Sequence, residues 1–267
     1  MLKTLPLDHA ELSFDDRGTG PVVVLVHGFP LDHTMWQHQI EALASDYRVL
    51  SPDLRGFGRS TGASTTTTME RMADDLAAML DGLGIVQPVT LCGLSMGGYV
   101  AWEFWRKYGN RLGALVLCDT RAAPDSPEAA ANRRKVADEV MTSGPAPVAE
   151  SLLPKLFALQ SFEKNREVVE QVRRSIESAD ARAIAAAQRG MAARSDFTDR
   201  LGDVDVPALV LVGSEDVITP PAEVRAMAGA LPHAQFFEIS GAGHMAPLED
   251  PQACNAHLLA FLAKHAK

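Results

Sequence analysis

The sequence predicts an α/β fold: a mostly parallel sheet with helices on both faces and a block of helices inserted between two consecutive strands. Three observations predict it. Apolar, β-branched runs such as "PVVVLVH" (21–27) alternate with segments of helical spacing, and that alternation calls for a parallel sheet covered on both sides. The runs are apolar at every position rather than every second one, as strands buried on both faces are. Residues 122–200 then contain no strand-like run at all. At 267 residues the chain is long for one bare domain and short for two, which suits a core carrying an insertion.

The elements follow in order. Residues 10–17 ("AELSFDDR") read as an edge strand, "GTGP" as a turn, and 21–27 as the first buried strand. Trp36, Ile40 and Leu43 have helical spacing, and 47–54 ("YRVLSPDL") is the next strand, followed by the glycine-rich "RGFGRST". Thr67, three residues before Glu70 and ahead of Met72, Leu76, Met79 and Leu80, has the capping-box spacing of a helix start. Strands at 88–95 and 112–120 enclose the helical "MGGYVAWEFWRKYG". Within 122–200, four amphipathic stretches begin near 126, 146, 165 and 181, separated by Gly, Pro and Asn/Asp signals. Strand, helix, strand and helix resume at 207–216, 221–231, 234–240 and 251–266. The division is therefore a core at 1–121 and 201–267 and a helical insertion at 122–200.

Composition excludes several classes. An apolar fraction of 46% permits a large core. A net charge of −9 gives no basic face for nucleic acid and no attraction to anionic lipid. No run of about 18 apolar residues could span a membrane, and the opening "MLKTLPLDHAELSF" lacks the apolar core of a signal peptide. The three cysteines, Cys92, Cys118 and Cys254, cannot all pair and have no metal-ligand spacing. They read as free thiols in a reducing, cytoplasmic setting. Neither metal nor organic cofactor is expected.

One stretch carries chemistry. In "TLCGLSMGGYVAWEF" (90–104), Gly93, Gly97 and Gly98 surround Ser95 where a buried strand should turn into a helix. Glycine costs about 0.5–1 kcal/mol relative to alanine inside a regular element, so three of them need a reason. G-x-S-x-G at a strand-to-helix junction supplies one. The turn is so sharp that side chains two positions either side of the serine would collide, and it lifts the hydroxyl above the strand ends. Gly98 then lets the helix pack close to the sheet.

A serine hydroxyl needs a base, and the base needs an orienting acid. Of the eight histidines, His244 stands in the glycine-rich "SGAGHMAPLEDP", after a strand and before the last helix. His27 ends an early strand and shapes its loop, while His9, His33, His38, His233, His257 and His265 read as surface or packing residues. Asp216, just past the strand in "LVLVGSEDVITPP", is the preferred acid. Asp119, ending the strand before it, is the reserve, and the adjacent Glu215 points elsewhere. The oxyanion of a tetrahedral intermediate needs N–H donors. Met96 offers its backbone at the helix start. In "HGFP" (27–30) Pro30 has no N–H, which leaves the backbone of Phe29 as the second donor.

"HGFPLDHTMW", "SPDLRGFGRS", "GLSMGG", "GSEDVITP" and "GAGHMAPLEDP" stand in the order and context of the α/β-hydrolase superfamily. The chain most resembles small bacterial carboxylesterases and the enol-lactonase and cofactor-free haloperoxidase (perhydrolase) relatives. The resemblance spans nearly everything outside 122–200. It implies a serine hydrolase with the chain order serine, acid, histidine, and a helical cap formed by the insertion. The expected substrate is a small-molecule ester or lactone; monomer and homodimer stay open. An aspartate at position 95 would have meant an epoxide hydrolase or dehalogenase. Enol-lactonase, carbon–carbon bond hydrolase and small-molecule receptor remain as alternatives. The expected pocket lining is Phe29, Val217, Ile218, Met245, Leu153 and Phe157, with Leu152, Leu156, Phe162 and Met191 as further cap candidates and small to medium apolar groups as the cargo. Arg121 is expected in a salt bridge.

Overall fold

The computed structural model describes residues 2–266. Met1 and Lys267, the outer ends of the expected core segments, lie outside the described residues. Eight strands form one sheet: β1 (Leu2–Leu7), β2 (Ala10–Arg17), β3 (Val22–Val26), β4 (Arg48–Pro52), β5 (Val89–Leu94), β6 (Leu112–Cys118), β7 (Ala208–Gly213) and β8 (Ala234–Ile239). Their spatial order is β1-β2-β4-β3-β5-β6-β7-β8. From β4 to β8 every neighbouring pair is parallel, while β2 runs antiparallel to both β1 and β4.

The edge differs from expectation. Residues 10–17 pair on both sides, and the outer strand is β1, which the sequence reading passed over. Its run "LKTLPL" mixes a lysine and a proline among only partly buried leucines. Lys and Pro on an exposed edge discourage pairing with other chains, and the same residues blur the strand signal.

The helices are α1 (Gln37–Leu43), α2 (Met69–Gly82), α3 (Met96–Tyr108), α4 (Pro127–Ser143), α5 (Ala146–Leu156), α6 (Ser161–Lys164), α7 (Arg166–Ser178), α8 (Ala181–Ala192), α9 (Pro221–Ala230), α10 (Ala246–Glu249) and α11 (Pro251–His265). Helices α4 to α8 lie between β6 and β7, which are adjacent and parallel. The α2 cap falls one residue later than its spacing suggested. Thr68 accepts the Arg71 N–H at 3.1 Å, whereas the Thr67 N–H reaches the Ala186 carbonyl of α8 at 3.1 Å. Glu70, freed from capping, pairs with Arg106 and Lys107, both at 3.0 Å.

The core is continuous through both faces of the sheet: β5 and β7 are buried at every position. Trp36, Phe57, Trp102, Phe104 and Phe261 are its largest fully buried members outside the strands. All the parallel strands therefore end on one edge, where ligands of open α/β sheets bind. The loops carrying Phe29, Ser95, Asp119, Asp216 and His244 leave from that edge.

Candidate active site

Ser95 joins β5 to α3 with φ 53° and ψ −111°, a left-handed conformation uncommon for a residue with a side chain. The glycines explain how the turn closes. A Cβ on Gly93 would overlap the Gly97 carbonyl, and one on Gly97 would overlap the Val26 carbonyl of β3. At Gly98 a Cβ would strike the Thr120 side chain. That side chain in turn donates to the Ser95 carbonyl at 2.8 Å, and the Ser95 N–H donates to the Cys118 carbonyl at 3.0 Å. The elbow is thus tied to the end of β6.

His244 is buried, with Nδ1 at 2.8 Å from Asp216 Oδ2. Asp216 Oδ1 accepts the N–H groups of Ile218 (2.8 Å) and Thr219 (3.0 Å), and the Thr219 hydroxyl donates to Oδ2. Burial works to raise the Asp216 pKa. The His244 charge and hydrogen bond, together with the Thr219 donors, outweigh it, so the carboxyl titrates below its ordinary range. Engagement of Nδ1 leaves Nε2 as the histidine nitrogen available to a substrate. Ser95 and His244 both line a pocket of about 380 Å³.

His27 is not part of this group. Its Nε2 accepts the Leu54 N–H at 2.9 Å and its Nδ1 lies 2.9 Å from the Gly28 carbonyl, which assigns the proton to Nδ1. Burial holds the ring neutral, with its pKa lowered. It locks the 27–30 loop to the end of β4. The loop carries the Phe29 N–H, which makes no backbone hydrogen bond among the described residues. The Met96 N–H, first in α3, has no intrahelical acceptor either.

Of the expected lining residues, Phe29 and Ile218 face the pocket, as do Leu152, Leu156 and Met191. Four others do not. Val217 is 67% exposed, because the turn that brings Ile218 and Thr219 back to the Asp216 carboxylate leaves it at the tip. Met245 is buried in the hydrophobic core. On α5, Val148, Leu152 and Leu156 form one i, i+4 stripe facing the pocket. Leu153 is rotated one position from that stripe and is buried in the core instead. Phe157, past the end of α5, packs edge-to-face on Phe162 with ring centres 6.3 Å apart, and Phe162 also misses the pocket. The wall is more polar than the apolar cap suggested, since Asn132, Arg133, Glu139, Lys155 and Gln188 contribute to it. Arg121 pairs with Glu223 of α9 at 3.4 Å and donates to the Ile218 carbonyl, away from the pocket.

Sequence reasoning missed Thr219 and Glu249. Glu249 Oε1 accepts the N–H groups of Gly243 (2.8 Å) and Met245 (3.3 Å), the two neighbours of His244. Its Oε2 accepts the Ala158 N–H (2.8 Å) and the Ser161 hydroxyl (2.6 Å) of the inserted helices. One carboxylate therefore fastens the histidine loop to the helices above it. Burial raises its pKa, and the four donors only partly offset this. The available signal was an acidic residue five positions past His244, with no solvent-facing helix to carry it. His33, expected as a surface or packing residue, is partly buried with its Nδ1 2.7 Å from the buried Asp53.

Two groups have metal-ligand chemistry, Asp32/His33/Asp53 and Asp119/Asp216/His244. In both, the histidine Nδ1 is hydrogen-bonded to an aspartate and each paired aspartate also takes backbone N–H groups. That donor set suits a hydrogen-bonded pair better than an open metal site.

Residues 21–251 match the family described as the alpha/beta hydrolase fold. A 3-oxoadipate enol-lactonase of Acinetobacter baylyi is 30% identical over 232 residues, 87% of this chain and 85% of that protein. A non-heme chloroperoxidase of Kitasatospora aureofaciens is 32% identical over 271 residues, 96% of this chain and 98% of its own. A thermophilic esterase from Thermogutta terrifontis, solved with malate bound, superposes with a TM-score of 0.95 at 50% identity, covering 97% of this chain and 95% of that one. No helix is long and apolar enough to cross a membrane among the described residues. Sheet order, strand-end loops and sequence match agree: this chain belongs to the α/β hydrolase fold family.

Proposed function

We propose that the protein hydrolyses carboxylic esters of small-molecule substrates through an acyl-enzyme. The observation that carries this reading is a strained serine and an aspartate-bound histidine opening onto one pocket. Ser95 Oγ attacks the ester carbonyl while His244 Nε2 takes its proton. The tetrahedral oxyanion accepts the backbone N–H groups of Phe29 and Met96. Collapse expels the alcohol, which receives the proton from His244. Water then gives a proton to His244 and attacks the acyl-enzyme, and the carboxylic acid and free Ser95 are restored. Asp216 holds the histidine tautomer and offsets the imidazolium charge.

Residues 122–200 act as the cap, closing the pocket with α4, α5 and α8. A volume of about 380 Å³ suits a small to medium ester, with polar as well as apolar groups given the mixed wall. The likeness to the Thermogutta esterase favours ester hydrolysis, and the buried free thiols favour a cytoplasmic setting. A second reading, lactone opening, draws on the enol-lactonase relative and would use the same residues.

Initial rates on p-nitrophenyl esters of increasing acyl length, with an enol-lactone alongside and Ser95→Ala as the blank, test both. Ser95-dependent turnover of short esters with little on the lactone is expected. Rapid lactone opening with weak ester rates would move the protein to the lactonases, and turnover that survives Ser95→Ala would remove the mechanism.

A further inference from the structure

Asp119 is a buried carboxyl that the mechanism above leaves without a role. It follows β6 with φ 47°, has no exposed surface, and directs Oδ1 to the Gly213 N–H at 2.8 Å. Its Oδ2 is buried with no hydrogen-bond partner among the described residues. It does not stand alone: one side-chain ligand atom from each of Asp119, Asp216 and His244 lies within 4.8 Å of the other two.

We infer that Asp119 and Asp216 share a single negative charge beside His244, with Asp216 holding the charge and Asp119 the proton, and that the charge passes to Asp119 when Asp216 is lost. The inference rests on the ester-hydrolase reading. Two neighbouring carboxyls in a buried site do not both ionise. Donor numbers decide which one does. Asp216 receives two backbone N–H groups, the Thr219 hydroxyl and the His244 ring, whereas Asp119 receives only the Gly213 N–H. A proton on the unpartnered Oδ2 leaves that one bond intact.

The surroundings agree. Burial pushes the Asp119 carboxyl far up, and the Asp216 charge adds to it, followed by Cys118 next to it in the chain and Glu249 on α10; only the Gly213 N–H opposes. Cys254 on α11 is a further neighbour, its thiol pushed up chiefly by burial. His244 is the one cationic partner in the group once protonated. Asp119 is therefore a positioning residue, acting on the histidine through the pair.

Two measurements test this on the intact protein. The infrared difference spectrum between wild type and Asp119→Asn at neutral pH should contain the carbonyl stretch of a protonated carboxylic acid; this arm needs no turnover. In steady-state kinetics on a p-nitrophenyl ester, Asp216→Ala should keep a measurable residual rate. Adding Asp119→Asn should lower that rate at least about tenfold further, while Asp119→Asn alone costs only a few-fold. Thermal melts confirm that each variant is folded. A missing infrared band, or equal rates for Asp216→Ala and the double variant, overturns the inference. Turnover independent of Ser95 would instead overturn the ester-hydrolase reading and leave the infrared result standing.

Discussion

Among the described residues, two histidine–aspartate pairs have nearly equal geometry, one fully buried and one partly buried. His244 Nδ1 lies 2.8 Å from Asp216, and His33 Nδ1 lies 2.7 Å from Asp53. Both aspartates follow parallel strands, β7 and β4. The His33 pair even opens on the larger cavity, about 700 Å³ against about 380 Å³. What differs is the company. The serines around His33 are engaged: Ser60 donates to the Asp53 carbonyl at 2.6 Å, Ser175 to Asp32 at 3.3 Å, and Ser178 to the Ser175 carbonyl at 3.0 Å. None sits on a left-handed turn at the start of a helix, as Ser95 does. A polarised imidazole and a large cavity do not make a hydrolase site. Of the two regions, the His244 one adds a serine raised on a strained elbow.

The largest effect should come from the element that only one region has. Ser95→Ala is expected to lower kcat on a p-nitrophenyl ester on the order of 10⁶-fold, as loss of a triad serine does elsewhere, with an unchanged melting temperature. His33→Ala should leave kcat close to wild type. Substantial loss of rate in His33→Ala would mean that the two pairs are functionally linked and would break the comparison.

The aspartates come next. Asp216→Asn is expected to lower kcat by up to about 10⁴-fold, the figure for the corresponding change in the protease triad, and to cost some stability, because Asp216 accepts at both oxygens. Asp53→Asn should cost stability without that loss of rate. Asp53 accepts the His33 and Arg59 N–H groups, both at 2.9 Å, as well as the His33 ring. An amide cannot accept at both oxygens, so a loss of about 3 kcal/mol in urea unfolding is expected, with kcat retained. If the rate falls with Asp53→Asn and not with Asp216→Asn, the wrong pair has been assigned.

Why the sequence separated the two pairs only partly follows from the range of the forces involved. The alternation of strands and helices beyond β1, the elbow glycines and the two residues that pair as Asp216 and His244 were legible, because apolar runs and G-x-S-x-G are local signals. Asp119 was legible as a rival acid from its strand-end position alone, but its unpartnered Oδ2 was not. The His33–Asp53 pair was illegible because it joins residues twenty apart across two loops. Leu153 and Phe157 were misjudged because helix periodicity fixes which residues share a face and not what the face meets. The fourfold bonding of Glu249 depends on α5, α6 and the His244 loop converging, which no local pattern reports.

A pH dependence of stability separates the pairs further. Burial works against a protonated His33, but the Asp53 hydrogen bond and charge prevail and its pKa is raised. That contribution is complete below the unfolded value of about 6.5 and is lost as pH rises through the raised folded value. Burial also works to raise Asp53, yet His33 and the backbone donors leave it lowered. The Asp53 contribution is present above about 3.9 and is lost as pH falls through its lowered value. The stability advantage of wild type over His33→Ala should therefore be greater at about pH 6 than at about pH 9. An equal advantage at both would show that the ring acts by packing alone.

The smallest expected effect concerns what anchors each histidine. His33 fixes itself, since its own N–H and its ring share one Asp53 oxygen. His244 leaves Asp216 to its ring and delegates its backbone to Glu249, which takes the flanking N–H groups on one oxygen and the Ala158 and Ser161 donors on the other. Glutamine at 249 has a single acceptor oxygen, so either the histidine loop or the helices above it must give up their bonds. Removing one such partner costs about 1–3 kcal/mol. Glu249→Gln is expected to lower kcat by about tenfold or less, in proportion to that energy, and the melting temperature by a few degrees. Ser161→Ala removes one donor on the far side only and should affect kcat less. Equal losses of kcat in the two variants would place the control of His244 in the helices above the pocket rather than in the carboxylate itself.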